Sequence, residues 1–412
     1  MSFKLIRQAF NGQRALPRMW RKHALKDRYE VVIIGGGAHG LACAYYLAKD
    51  HGITDVAVLE RHYIGSGGSG RNTAIVRSNY LTPEGVHFYN ESVKLYEQMA
   101  LELDFNVMFS QRGHITLAHT DGSVNTLRRR AEVNCLQGVN SSLIWPDEIA
   151  RLCPSLDVSD HPRYPVLAGL YHPPGGIIRH DAVVWAYAHH ADRFGAHIHQ
   201  ETAVTGIQVQ NGKLSGVSTT QGFIEAGTVL NATAGWGSTI AEMAQVSLPL
   251  VTYPLQACVT ESLKPFLDVV IVSGSLHVYI SQSDRGELVM GASVDPFSSY
   301  SMDSSLLFLE DIAGHTLELF PALSQVRILR QWAGLCDMTP DFSPIMGFTP
   351  VEGFLVDVGW GTYGFKASPI CGKTLAETIA TGRTPDLIAP FRLSRFVEGE
   401  LVGEKGAASV GH

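Results

Sequence analysis

The sequence predicts a mixed α/β fold with α+β character, in which a Rossmann-like domain is interleaved with a second domain built on a largely antiparallel sheet. Two patterns lead there. Near the start, a β-branched run, a helix of small residues and a second apolar run follow one another at the spacing of a βαβ unit. Further on, apolar runs are separated by tight-turn signals. The 412 residues exceed one typical domain, so two units sharing a large core are expected.

In order, residues 29–34 read as a strand, 38–49 as a helix and 55–59 as a second strand. Residues 205–210 and 214–219 flank Asn211-Gly212, a strong hairpin signal. Residues 277–281 and 287–291 flank a turn at Asp284–Gly286. The strand Phe354–Val358 ends in a glycine-rich turn, and a helix over 367–380 follows.

Composition narrows the function. A net charge of −7 and a pI near 6.2 give no basic surface for nucleic acid or an anionic membrane. Cys43, Cys135, Cys153, Cys258, Cys336 and Cys371 are scattered with no paired spacing. That argues against a metal site or a disulfide framework and for a reducing, cytoplasmic setting. No apolar run approaches the roughly 18 residues of a membrane span, and the start shows no secretory h-region. Residues 1–28 are basic: Lys4, Arg7, Arg14, Arg18, Arg21, Lys22, Lys26 and Arg28 face one acid, Asp27. The arm reads either as lying on a partner subunit or as a solvated terminus; composition alone also allows a transit peptide.

The first strand runs into Gly35-Gly36-Gly37-Ala38-His39-Gly40, which contains GxGxxG. Gly35 makes the tight turn, Gly37 lets the backbone approach a pyrophosphate, and Gly40 lets the helix pack on the strand. The pyrophosphate sits on the helix N-terminus. Glu60 ends the next strand, where a carboxylate accepts hydrogen bonds from ribose hydroxyls. His39 is expected to pack at the helix start. The motif does not separate FAD from NAD. Two further stretches favour the flavin. Asn231-Ala232-Thr233-Ala234-Gly235-Trp236 follows an apolar strand and resembles the second dinucleotide signature of FAD amine oxidases. Gly359-Trp360-Gly361-Thr362-Tyr363-Gly364-Phe365-Lys366 runs from strand into helix, whose N-terminus stabilises the negative charge of a reduced isoalloxazine.

Longer stretches carry a closer resemblance: Arg71-Asn72-Thr73-Ala74-Ile75-Val76-Arg77-Ser78-Asn79-Tyr80, Phe109-Ser110-Gln111-Arg112-Gly113, Arg179-His180-Asp181-Ala182-Val183-Val184-Trp185, Gly286-Glu287-Leu288-Val289-Met290-Gly291 and Met338-Thr339-Pro340-Asp341. From residue 29 onward the chain resembles the β subunits of heterotetrameric sarcosine oxidases. The resemblance implies non-covalent FAD, which takes a hydride equivalent from a secondary amino acid such as sarcosine and leaves an imine. It implies an FMN linked covalently to a histidine at the interface with an α subunit and reoxidised by oxygen to give hydrogen peroxide. It also implies two small subunits, and an α subunit that helps pass the one-carbon unit to tetrahydrofolate.

Carried over residue by residue, the flavin-linked histidine is His180, in the Arg-His-Asp stretch, with His172 as the fallback. The substrate carboxylate falls to Arg77 and Lys366, with Arg71 as a weaker candidate. The cofactor-binding set is Gly35, Gly37, Gly40, Glu60, Arg71, Asn72, Thr73, Val204, Trp236, Gly361, Thr362, Gly364 and Lys366. A lysine at the start of a buried glycine-rich helix is out of place unless an anion is nearby; Arg77 also reads as a surface ion-pair partner. His180 precedes Asp181, a candidate N-cap for a helix over 182–194, and a helix N-terminus keeps an imidazole neutral. Two departures stand out. Tyr363 replaces the small residue expected near the flavin, and Arg285 is only a loose match for an oxygen-activating base. The expected division is a basic arm 1–28, an FAD-binding domain of 29–95, 176–250 and 330–385, a substrate and FMN-side domain of 96–175 and 251–329, and a C-terminal tail 386–412. The competing readings are a stand-alone FAD amino-acid dehydrogenase reducing a quinone or carrier, and a non-catalytic flavoprotein scaffold.

Overall fold

The structure, a computed structural model, describes residues 3–10, 12 and 18–404; Arg14 of the basic arm and 405–412 of the C-terminal stretch lie outside the described residues. The strand Arg28–Ile34 pairs in parallel with Val56–Leu59 on one side and Gly222–Asn231 on the other. His197–His199 and Phe354–Val358 extend this sheet in parallel, and Ile345–Phe348 closes it antiparallel. Successive side chains of a strand face opposite ways. Val31 and Ile33 enter one apolar layer with the helices Ala38–His51, Pro83–Glu102, His180–Arg193 and Ser368–Thr381. Val32 and Ile34 enter another, beneath the hairpin Val204–Gln210 and Lys213–Thr219. Asn211 and Gly212 turn that hairpin with φ of 52° and 77°, the left-handed pair that Asn-Gly accepts readily.

The second sheet runs in the order Ile328–Met338, Val251–Ser262, Glu287–Val294, Val278–Gln282, Val270–Ser273, His114–Ala118, Ala168–His172 and Ser142–Ile144. Its pairs are antiparallel, except that Val270–Ser273 runs parallel to His114–Ala118. Residues 330–338, grouped above with the FAD-binding unit, belong to this sheet: they pair with 251–259. One face packs Ile115, Leu117, Ile271 and Ile280 against the helix Leu306–Leu319. The other face looks towards the first sheet.

Two terminal stretches fold back on the body. Arg21 and His23 both hold Asp192 of the helix His180–Arg193, and His23 stacks on His197 at 4.0 Å. This part of the basic arm is committed to its own chain. Near the other end, Arg395 is 0% exposed and forks onto Asp341 at 2.8 and 2.9 Å; its remaining donors go to the carbonyls of Phe391, Arg392 and Ser343. Glu404 then accepts from the amides of Leu81 and Thr82, at the start of the helix Pro83–Glu102. Removing one member of a buried ion pair strands the other charge, which costs about 3–5 kcal/mol. Arg395→Met is therefore expected to lose about that much unfolding free energy, measured by denaturant titration of the flavin-loaded protein. A loss under about 1 kcal/mol, the scale of a surface pair, would show that the clamp is not needed.

Candidate active site

A cavity of about 600 Å³ lies between the carboxyl ends of the first sheet's parallel strands and the open face of the second sheet. This is where open α/β sheets bind ligands. At its floor, Gly35 adopts φ +115°, and a Cβ there would meet the Ala232 carbonyl at 2.4 Å. A Cβ on Gly40 would meet the Gly35 carbonyl at 2.1 Å, so the helix crosses the strand only because that residue is glycine. A Cβ on Gly37 would meet only Ser69 Oγ, at 3.0 Å; this glycine faces the cavity. Ser69 Oγ accepts from the Ala38 amide at the helix start. Glu60 accepts from the amides of Gly36 and His62 and keeps lone pairs towards the cavity. Beyond it, the Arg61 guanidinium lies over the Trp236 ring at 4.2 Å. A cradle of glycines, an open helix N-terminus and a carboxylate suits the ADP half of FAD.

The glycine-rich turn after Phe354–Val358 is tied to that floor. His39 Nδ1 lies 2.9 Å from Asp357, and its Nε2 lies 2.7 Å from the Gly364 carbonyl. Both partners are acceptors, so both ring nitrogens carry protons and the ring is an imidazolium. Burial opposes that charge, but the Asp357 carboxylate and the two hydrogen bonds outweigh it and raise the pKa. Asp357 also takes Trp360 Nε1 at 2.6 Å and Cys371 Sγ at 3.1 Å. His39, Asp357 and Cys371 come together at ligand spacing, but these hydrogen bonds account for the grouping. Asp337, pushed up to about 7 chiefly by burial, accepts from the Gly359 and Trp360 amides.

At the far end stand Lys366 and Arg77. Lys366 is buried, and its pKa is held well below the usual lysine value by burial and then by Arg77. Among the described residues neither cation has a carboxylate within salt-bridge range. Arg77 instead bonds Asn79 and lies over the Tyr80 ring at 4.4 Å. This removes the surface ion-pair reading of Arg77. Tyr363 fits here too, since its ring packs with Tyr80 and Tyr89 behind Arg77. Arg130, on the helix Asp121–Leu136, is 2% exposed and holds the same Asn79 carbonyl at 2.6 Å; burial lowers its pKa to about 9.

Of the residues singled out from sequence, Gly35, Gly37, Glu60, Arg71, Asn72, Thr73, Arg77, Val204, Trp236, Gly361, Thr362, Gly364 and Lys366 line this cavity. Arg71 spends its guanidinium on the Ser66 and Ala333 carbonyls, so it braces the two sheets and is the poorer carboxylate anchor. Arg285 is away from the cavity, beside Glu287 at a hairpin tip, and cannot serve as its base. His180 lies outside the cavity, edge-on to Phe365 at 6.4 Å, and Phe365 is part of the wall. Asp181 is not its N-cap. The helix begins at His180 with Arg179 as cap residue, because Arg179 draws the Asp181 carboxylate to itself at 2.5 and 3.0 Å. His180 still sits in the first turn, and burial chiefly lowers its pKa. Its ring nitrogens make no hydrogen bond among the described residues. His172 is the opposite case. Its Nε2 accepts from the Ser78 amide, which fixes the proton on Nδ1, donated to the Asn140 carbonyl at 2.8 Å. It is fully buried and fully employed, which removes it as the fallback.

Sequence reasoning missed Asp337, Arg130 and His114; only Asp337, beside the Met-Thr-Pro-Asp stretch, carried a signal. The His39 assignment predicts a pH signature. A raised pKa contributes stability that is complete below the unfolded value of about 6.5 and is lost as pH rises through the folded value. The melting-temperature gap between wild type and His39→Gln should therefore be widest near about pH 6 and narrow towards about pH 9. A gap that widens with pH would mean a neutral ring.

The comparisons with known proteins agree with this geometry. The family model described as FAD dependent oxidoreductase (DAO) matches residues 30–378. The chain is 45% identical over 394 residues to the sarcosine oxidase subunit beta of Arthrobacter sp., covering 96% of this chain and 97% of that protein. It is 44% identical to the subunit beta of Rhizobium meliloti (strain 1021), covering 98% and 97%. Among solved structures, L-proline dehydrogenase from P. horikoshii superposes with a TM-score of 0.85 at 30% identity, covering 92% of this chain and 100% of that one. The chain is an enzyme of the FAD dependent oxidoreductase family, similar over nearly its whole length to sarcosine oxidase β subunits.

Proposed function

We propose that this protein oxidises a secondary amino acid, sarcosine or a similar N-methyl amino acid, to an imine, as the β subunit of a cytoplasmic hetero-oligomer. The observation that carries the reading is the pair of cations, half-buried Arg77 and buried Lys366, which face the cavity without a carboxylate in salt-bridge range among the described residues. Burying an unmatched charge is costly; a substrate carboxylate removes that cost at Lys366 and offsets its repulsion by Arg77. FAD, bound through Gly35, Gly37, Gly40 and Glu60, supplies the two-electron acceptor. Arg77 and Lys366 fix the carboxylate, and with it the distance of the neighbouring C–N bond from the cavity floor. Tyr363 and Trp360 exclude water from the turn between them.

The residues around His180 fit a covalent FMN, through which electrons would reach oxygen and give hydrogen peroxide. Burial lowers the pKa of its imidazole, which makes no hydrogen bond among the described residues and is partly exposed, as a nucleophile attached at a subunit interface requires. The α subunit and two small subunits are the partners this implies. A second reading, a cyclic secondary amino acid as substrate, draws on the likeness to L-proline dehydrogenase; both readings share the carboxylate anchor.

Two measurements test the proposal. Charge-assisted hydrogen bonds contribute roughly 1.5–3 kcal/mol, so Lys366→Met should weaken substrate and simple carboxylate inhibitors about 10- to 100-fold; unchanged affinity removes Lys366 from the site. Protease digestion of the enzyme co-expressed with its partners should yield a His180 peptide carrying the mass of FMN. An unmodified peptide at full occupancy in active enzyme leaves the simpler FAD dehydrogenase.

A further inference from the structure

The second sheet's wall of the cavity carries a group that the carboxylate anchor does not use. His114 opens the strand His114–Ala118, between Val270–Ser273 and Ala168–His172. Along that strand Ile115 and Leu117 enter the apolar core, whereas His114 and Thr116 line the cavity. His114 is 1% exposed, and neither Nδ1 nor Nε2 has a hydrogen-bond partner among the described residues. A buried polar ring with both nitrogens unsatisfied is rare in a folded chain and points to a ligand. Burial, then Arg77, His172, Arg130 and Lys366, oppose a proton on it. A neutral imidazole offers one donor and one bare acceptor.

This end of the cavity is rich in charged donors. Arg77 and Lys366 supply donors, and the Asn79 carbonyl is shared by Arg77 and Arg130. The Lys366 and Phe365 carbonyls are taken by Ser92 and Tyr96. A molecule held here by its carboxylate still has an amine to satisfy.

We propose that His114 contacts the substrate's amine, its free imidazole nitrogen accepting the N–H of the neutral secondary amine, so that His114 selects that end of the substrate. The inference rests on the carboxylate-anchored reading above. The ammonium form gives up one proton to solvent on entry, because another positive charge beside Arg77, Arg130 and Lys366 is disfavoured. The remaining N–H goes to His114. The nitrogen lone pair stays unengaged, as oxidation of the C–N bond to an imine requires. A tertiary amine, neutral in the site, has no N–H to give.

The test uses the flavin-loaded enzyme co-expressed with its partners. Anaerobic rapid mixing gives the apparent Kd for N-methylglycine and N,N-dimethylglycine, and absorbance titration gives that for acetate. In His114→Leu the N-methylglycine Kd should rise about tenfold, the size of one neutral hydrogen bond. Acetate and N,N-dimethylglycine should change less than about twofold, and His114→Asn should restore part of the loss. If His114→Leu fails to hold flavin, His114→Phe refills the ring volume without nitrogen and carries the same comparison. An unchanged N-methylglycine Kd overturns the assignment, and so does an equal loss for all three ligands, which marks a merely structural role. The acetate titration of Lys366→Met keeps the two readings apart: undiminished acetate affinity there sinks the carboxylate anchor, whatever His114 does.

Discussion

Three cations, half-buried Arg77 and buried Arg130 and Lys366, meet in one corner, and among the described residues no carboxylate lies within salt-bridge range of the two that face the cavity. Proteins avoid this, because a charge removed from water must be paired or heavily hydrogen-bonded. Here the substitutes are weak. Asn79 offers its carbonyl and side-chain oxygen to both arginines, and Tyr80 lays a ring under one of them. The electrostatic debt shows as lowered pKa values for Lys366 and Arg130, each led by burial and deepened by Arg77. A corner kept in this state is preorganised for an anion, and the anion's binding energy is available to position what is attached to it.

Holding such a corner open requires rigid walls, and the buried acids serve that end elsewhere. Asp357 and Asp337 lie under the glycine-rich turn, where they bind amides, Trp360 and the His39 imidazolium. Asp341 is committed to Arg395. Acids therefore sit below and behind the turn, and unmatched cations sit in front of it. His39 belongs to the glycine motif of the first helix, yet it bonds the carbonyl of Gly364, two residues before Lys366. The glycine-motif floor and the Lys366 turn are thus one mechanical unit, although more than 300 residues separate them in sequence.

Much of this was legible in the chain. The βαβ unit, the Asn-Gly hairpin and the strand Phe354–Val358 follow from local periodicity and turn chemistry, which tertiary packing did not override. The glycines were legible because backbone approach leaves no other choice at Gly35 and Gly40. Lys366 was legible because a cation at a helix start is locally wrong. What escaped depends on long-range placement. Nothing around His114 distinguishes it from any histidine on an apolar strand; its meaning comes from the cations that other segments bring to it. Residues 330–338 were placed in the FAD-binding unit by position along the chain, which does not state which neighbour a strand will pair with. Asp181 looked like an N-cap, and the competing pull of Arg179 is a side-chain choice that sequence spacing does not reveal.

The turn at Phe365-Lys366 has a consequence for how the two halves of the chemistry can coexist. Both residues of it line the cavity. Lys366 lines the cation-bearing end, while the Phe365 ring, part of the same wall, meets the His180 ring edge-on at 6.4 Å. The same turn is fixed behind by Tyr96, which bonds the Phe365 carbonyl and Ser368, and by Ser92 on the Lys366 carbonyl. Any movement that shifts Lys366 therefore shifts the aromatic wall facing His180. If His180 carries a second redox group, the protein has placed the entry point for the substrate and the partition towards that group on one short rigid segment. Such coupling comes from backbone continuity rather than from a relay of side chains, and it fixes their mutual geometry while leaving the cation-rich corner and the neutral His180 ring chemically separate.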